Sequence, residues 1–289
     1  MLRKIRLTCG IICLTLITLL FLDFTGTLHG WFGWLAKIQF LPAVLALNVG
    51  VVVLLIILTG VFGRIYCSVI CPLGVFQDVA AWIGKKRKKL PYSYSPALSF
   101  LRYGALVIFI ITLVAGVSFI ATLFAPYSAY GRIANNLFQP IWLWGNNLFA
   151  HLAERADSYA FYDVEVWMKS LPTFIIAAAT FVILILLAWR NGRTYCNTIC
   201  PVGTVLGFLS RYSLFRITID TEKCNGCGLC ARHCKAACIN SKEHTIDYSR
   251  CVVCMDCLGK CKQKALSYQL RTIKTGSPQV KQNAPLASS

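Results

Sequence analysis

The stretch "GRIYCSVICPLG", residues 63–74, sets two thiols four positions apart and closes on Cys-Pro. It recurs at residues 192–203 as "GRTYCNTICPVG". Proline disfavours helical geometry in the residue before it yet suits the first position of a new helix, so Cys71 and Cys200 read as the last residues of a turn. An amphipathic stretch follows each proline: Leu73, Phe76, Val79, Ala80 and Ile83 in one copy, Val205, Leu206, Phe208, Leu209 and Tyr212 in the other. Each copy thus bends the chain from a membrane-crossing helix into a helix lying on the membrane surface. Two copies predict two pseudo-equivalent helix pairs, each delivering two thiols to one face.

Working outward, the chain of 289 residues is 57% hydrophobic and only 14% charged, with mean hydropathy +0.62. That is the composition of a membrane protein. Apolar runs at residues 7–24, 41–62, 103–124 and 171–189 approach or exceed the ~20 residues that a crossing needs. The first run is long for a signal peptide and "TGTLHG" offers no small-residue cleavage site, so it reads as a retained helix. Arg3, Lys4 and Arg6, the run "KKRKK" at 85–89, and Arg190, Arg193 and the basic end of the chain all fall on one side, which the distribution of basic residues marks as cytoplasmic. The expected topology is multi-pass in a bacterial inner membrane with both termini in the cytoplasm. The net charge of +18 is gathered beside apolar spans and argues for membrane orientation, not for nucleic acid. The loop after the third span, with "FQPIWLWGNNLF", suits an interfacial hairpin or short amphipathic helix.

This topology puts all but Cys9 and Cys13 of the 15 cysteines in a reducing compartment, where metal ligation is a better expectation than disulfides. Cys9 and Cys13 lie on the first helix with no other ligand types nearby and read as packing. If the two helix pairs meet, Cys67, Cys71, Cys196 and Cys200 form a four-thiol set able to hold an iron, an iron–sulfur centre or zinc. Two other readings compete: Cys-Pro shapes the turn and nothing more, or the thiols form a reversible dithiol. The positions of Cys71 and Cys200 near helix N-termini favour thiolate.

The strongest signal lies further on. Cys224-x2-Cys227-x2-Cys230-x3-Cys234 is followed by Cys251-x2-Cys254-x2-Cys257-x3-Cys261, the spacing of two cubane clusters in bacterial-type ferredoxins, in which the fourth cysteine of each run serves the other cluster. One cluster takes Cys224, Cys227, Cys230 and Cys261; the other takes Cys251, Cys254, Cys257 and Cys234. "TIDTEKCNGCGLCARHC" also aligns with "HTIDYSRCVVCMDCLGKC", which makes each half a short strand leading into a cluster loop. Zinc ribbons seldom use two such runs. Lys235 and Lys262 stand where bacterial ferredoxins usually carry proline, adding positive charge that favours a raised cluster potential. Cys238 aligns with Ala265 and reads as packing.

Four spans, paired Cys-x-x-x-Cys-Pro motifs and an eight-cysteine module together resemble the NapH family of membrane ferredoxins, quinol dehydrogenase components related to the NosR and CcoG proteins. The resemblance runs from "RKIR" to about Gln269. It implies electron transfer between the membrane quinone pool and redox partner proteins, such as a ferredoxin-type or cytochrome subunit of a reductase complex, with two [4Fe-4S] clusters as cofactors and quinone as substrate. An extra iron or iron–sulfur centre at the Cys-Pro motifs would bridge cytosolic clusters to an acceptor across the membrane. The alternatives are an assembly or maturation factor and a redox sensor for a respiratory metalloenzyme. His29, His151, His233 and His244 all fall outside the spans, leaving no axial pair for an intramembrane haem. The expected organisation is an all-α four-helix transmembrane domain over residues 1–215, a small α+β bacterial-type ferredoxin domain holding two [4Fe-4S] clusters over 216–271, and a disordered tail over 272–289.

Overall fold

A computed structural model describes residues 2–87, 92–155, 162–166 and 170–271. The tail 272–289, the end of the basic run 85–89 and parts of the loop before the fourth apolar run lie outside the described residues. Two helices, Leu2–Leu22 and Leu171–Asn191, are uninterrupted and apolar enough to cross a membrane. With 21 residues each, at ~1.5 Å per residue they match the ~30 Å hydrocarbon thickness.

The other two apolar runs are divided. Residues 41–62 form Phe40–Leu45 and then Val49–Phe62, parted where Leu47 takes a left-handed φ of 51° and the Asn48 side chain accepts from the Val51 N–H to start a new helix. Residues 103–124 form Ser99–Val114 and Ser118–Phe124, parted at Gly116 with φ 73°. All these helices are nevertheless apolar on the outside. Val53, Leu54 and Ile57, Val107, Ile108 and Ile111, and Val182, Ile183 and Leu186 are exposed, an apolar surface that water does not favour. Between the third and fourth runs, Pro126–Ile133 passes through a π-helical turn at Ala134–Phe138 into Gln139–Glu154, longer than the short hairpin expected. It closes on the first helix through Thr18 with Tyr130 and Phe21 with Tyr127.

After each Cys-Pro turn the chain enters a new helix, Pro72–Arg87 in one copy and Pro201–Ser210 in the other. The first packs along Leu171–Asn191, where Gly84 leaves room for Trp189, and the second along Val49–Phe62. Both helices are largely buried, not laid on a membrane surface as the sequence suggests, because each packs on the other copy's span, an exchange that brings the two motifs together at one end.

The cysteine-rich module follows. Strand β1 (Phe215–Ile219) pairs antiparallel with β4 (Leu266–Leu270), Ile217 opposite Tyr268, and β2 (Ile239–Asn240) pairs antiparallel with β3 (Thr245–Ile246). The first strand of each half thus pairs with the last strand of the other, the pseudo-twofold expected from the internal repeat. Phe62 stacks on Phe215 at 5.9 Å and accepts at its carbonyl from the Tyr268 hydroxyl, seating the module against the helices.

Candidate iron–sulfur and four-cysteine sites

Two cavities open inside the module. One is lined by Cys224, Cys227, Cys230 and Cys261, the other by Cys234, Cys251, Cys254 and Cys257. Each gathers three cysteines of one run and the fourth of the other. Ile219, Leu229 and Leu266 complete the first wall, and Ile217, Ile239, Ile246 and Val252 the second. Four sulfurs around an apolar space suit a polynuclear cluster. A tetrahedral zinc with Zn–S ~2.3 Å needs sulfurs about 3.8 Å apart, and among the described residues no three His, Cys, Asp or Glu side chains close on a single-ion position. Backbone N–H groups already face the sulfurs: Ala265 donates to Cys261 at 3.3 Å, and the equivalent Cys238 N–H donates to Cys234. The Cys238 thiol lies 3.5 Å from Cys234 Sγ and lines the second cavity, closer to the ligand set than a remote packing position. Cys227 is exposed whereas Cys234, Cys254 and Cys257 are buried, so the first cavity lies at the surface and the second inside.

The Cys-Pro turns meet. Cys67, Cys71, Cys196 and Cys200 are all buried in one packed core with Tyr66, Tyr195, Val252 and Cys254. The repeat explains how. Arg64 of the first copy donates to the Cys196 carbonyl at 3.2 Å, and Arg193 of the second donates to the Cys67 carbonyl at 2.7 Å. Each motif thereby clasps the other with its own arginine. The closing glycines leave room for this clasp: a Cβ on Gly74 would strike its own turn's Cys67 carbonyl, the one Arg193 grips, and a Cβ on Gly203 would strike its own turn's Cys196 carbonyl and come within 2.8 Å of Arg64 Nη2. Their N–H groups donate to Cys71 and Cys200 Sγ. Gln77 donates to Cys196 Sγ at 3.4 Å, and Arg64 reaches Cys67 Sγ at 3.9 Å. The tyrosines anchor the turns further out: Tyr66 to Gln39 and Phe40, Tyr195 to the Phe124 carbonyl.

Electrostatics point to anionic sulfur. Among the described residues, the fully buried charged side chains are Arg6, Arg64, Arg102, Arg193 and Arg250 against Asp78 alone. Buried charge without a counterion is costly. Yet burial pushes the Cys196 thiol up to about 11 and holds Cys71 and Cys200 above the ordinary thiol range, neighbouring thiols adding to the effect. This corrects the expectation that nearby helix N-termini favour thiolate: burial outweighs the helix ends. Thiols this reluctant to ionise make a poor exchange dithiol, whereas a metal bound here would displace their protons and leave thiolates, the negative charge that the arginines lack. All 15 cysteines are free of disulfides.

A family described as "4Fe-4S binding domain" matches residues 44–91 and 171–220, the two Cys-Pro units with their spans, and a second so described matches 217–240, the first cysteine run. The methylamine utilization ferredoxin-type protein MauN of Methylobacillus flagellatus is 29% identical over 60% of this chain and 48% of its own length. The ferredoxin-type protein NapH of Haemophilus influenzae is 28% identical over 68% of this chain and 56% of its own. The regulatory protein NosR of Stutzerimonas stutzeri is 24% identical over 63% of this chain.

The chain is similar to the NapH-like ferredoxin-type proteins.

It spans about half the length of the MauN and NapH relatives, and no solved structure matches it. In this NapH-like chain the cysteines were legible in the sequence; the arginines were not. Arg64 and Arg193 belong to the repeated Gly-Arg-x-Tyr-Cys, and that identity was the signal available. Asp78 carried no signal. It is the junction where Arg193 Nε (2.8 Å), Arg6 Nη1 (2.8 Å) and Lys235 Nζ (3.6 Å) converge. Lys235, which also pairs with Asp256 at 3.0 Å, thus has its charge balanced by two carboxylates. Its expected effect on cluster potential shrinks accordingly.

Proposed function

We propose that this chain is a membrane-anchored iron–sulfur electron-transfer protein that relays electrons between the quinol pool and a reductase partner, as a quinol dehydrogenase component. Cys224, Cys227, Cys230 and Cys261 hold one [4Fe-4S] cluster, Cys251, Cys254, Cys257 and Cys234 the other, and Cys67, Cys71, Cys196 and Cys200, which no more close on a single-ion position than the others, an additional iron–sulfur centre. Such centres, when bound, exchange one electron at a time and so connect a two-electron lipid carrier to one-electron partners. The chain's own residues keep water from the inner sites, aim N–H donors at the sulfurs and leave the edge at Cys227 open to a soluble partner. The observation that supports this reading is that Val252 and Cys254, which line the inner cavity, belong to the same continuous core as the four Cys-Pro thiols.

Four crossings with both termini inside fit the same reading. Outward apolar faces on Val49–Phe62 and Ser99–Val114 support it, as does the gathering of Arg6, Arg64, Arg102 and Arg193 at the motif end.

The test is iron, sulfide and zinc content with low-temperature EPR on anaerobically purified protein, before and after a quinol analogue. About eight irons, four per cubane, and a quinol-reducible signal are expected, with further iron lost on Cys67→Ser/Cys196→Ser. Cys224→Ala or Cys251→Ala should strip iron and sulfide from the module, and unchanged content would overturn the ligand assignment. Clusters deaf to quinol but reduced by a strong low-potential reductant would move the function to a maturation factor or sensor.

A further inference from the structure

A cavity of about 370 Å³ opens where the module meets the motif end of Leu171–Asn191, walled by residues 92–98, the helix Thr194–Thr198, the Lys235–Ala237 loop and Arg250. Four of its lining residues are cations, Arg190, Arg193, Lys235 and Arg250, and none is a carboxylate. Two of the four are already answered from behind by Asp78 and Asp256. Arg250 is answered by a carboxylate at Nε alone, and Arg190 by none among the described residues. Arg250 is 5% exposed, its Nε is held by Asp247 at 2.7 Å, and its Nη2 is buried with no hydrogen-bond partner. Arg190 stands exposed at the end of the span with no ion pair among the described residues. Ser93, Ser95 and Thr194 add hydroxyls to the wall.

A buried guanidinium with a free N–H wants an oxyanion, and its planar fork suits phosphate oxygens. The Tyr94 ring lies 5.8 Å from the Arg250 guanidinium and helps hold it in place. The height of the cavity matters as much as its charge. Arg190 closes a membrane-crossing helix, so the cavity sits at the level where lipid headgroups lie, and basic pockets of this kind on the cytoplasmic side bind anionic headgroups. We propose that this cavity is a binding site for a phosphate-bearing anion, gripped by Arg250 and Arg190, and that the phosphate of an anionic phospholipid fills it. The site lies between the Cys-Pro turn at Arg193 and the second cavity's Cys234, so its occupant clamps the module onto the membrane domain.

The test uses the full chain, delipidated in neutral detergent, with native mass spectrometry and thermal unfolding as readouts. Phosphatidylglycerol or cardiolipin is added in one arm, phosphatidylcholine in a second and inorganic phosphate in a third. Retained anionic lipid and a raised Tm in the first arm alone are expected. Arg190→Gln and Arg250→Gln should each weaken binding about tenfold, the loss of one charge-assisted hydrogen bond. Arg250 neighbours Cys251, so if Arg250→Gln loses iron the decision passes to Arg190→Gln and Arg190→Glu, which leave the module untouched. Binding of inorganic phosphate that the same variants abolish would support the site and assign it a soluble anion. Failure of every anion to bind, equal binding of phosphatidylcholine, or lipid binding that the Arg190 variants do not weaken would overturn the proposal.

Discussion

Asp78 is the one fully buried carboxylate among the described residues, and three cations converge on it from three parts of the chain: Arg6 from the first helix, Arg193 from the second Cys-Pro copy and Lys235 from the module. Burial alone would raise its carboxyl, but Arg193, Lys235 and Arg6 together hold it well below the usual carboxylate range. The unfolded chain therefore takes up this proton first, near the ordinary pKa of ~3.9. Stability from this group is complete above about pH 4 and is lost only as pH falls through the depressed folded value. Asp78→Asn should remove that part of the acid slope and cost about 3–5 kcal/mol at pH 7, since the buried Arg6 and Arg193 lose their counter-charge. Denaturant unfolding in detergent across pH 3–7 measures both; an Asp78→Asn protein with the parent's stability and acid slope would refute the junction. The cysteine spacing announced the ligand sets, but nothing local announced Asp78, because a lone Asp in an amphipathic helix is identical in sequence to a solvated one.

At the scale of elements, the repeated motif is a device for bringing two backbones into contact. Helix exchange places Pro72–Arg87 on one span and Pro201–Ser210 on the other, and Gly74 and Gly203 leave room in each turn for the carbonyl that the other copy's arginine grips. Gly203→Ala would push a methyl into the Cys196 carbonyl and against Arg64, a backbone contact that cannot yield cheaply. The expected loss is ~1–3 kcal/mol, together with loss of whatever the four thiols hold, read by thermal unfolding and iron content. Gly104→Ala is the control, having open space around it in the middle of a helix, where alanine should be neutral or stabilising by up to ~1 kcal/mol. Equal destabilisation by both would mean that helix propensity, not the clasp, governs. The helix pairs and the turns were readable from apolar runs and prolines. The interruptions at Asn48 and Gly116 were not, since an unbroken apolar run hides a local backbone choice that one capping side chain or one left-handed glycine decides.

For the whole molecule, the decisive relation is how the module sits on the helices, and sequence could not supply it, because no motif encodes a contact between residues 147 positions apart. Arg102, at the start of Ser99–Val114, donates to the Ser249 hydroxyl at 3.0 Å and its carbonyl at 3.1 Å, while Arg64 donates to that same carbonyl at 3.0 Å. Gly207 leaves the space that the Arg102 guanidinium fills. Ser249 lies two residues before Cys251, so both arginines grip the loop that begins the second cysteine run. The contact is buried, which shields it from salt. Arg102→Gln should therefore loosen the module without removing any proposed ligand. Losing two charge-assisted bonds to Ser249 predicts a cost of ~2–4 kcal/mol, unchanged iron and sulfide, and slower quinol-dependent reduction of the module at both low and high salt. Stopped-flow absorbance on anaerobic protein measures the rate, with total reduction by dithionite as the control for intact clusters. A variant that keeps its clusters and its parent rate would mean that electrons do not cross at this seam, and that the core shared by Cys254 and the four Cys-Pro thiols serves the fold alone.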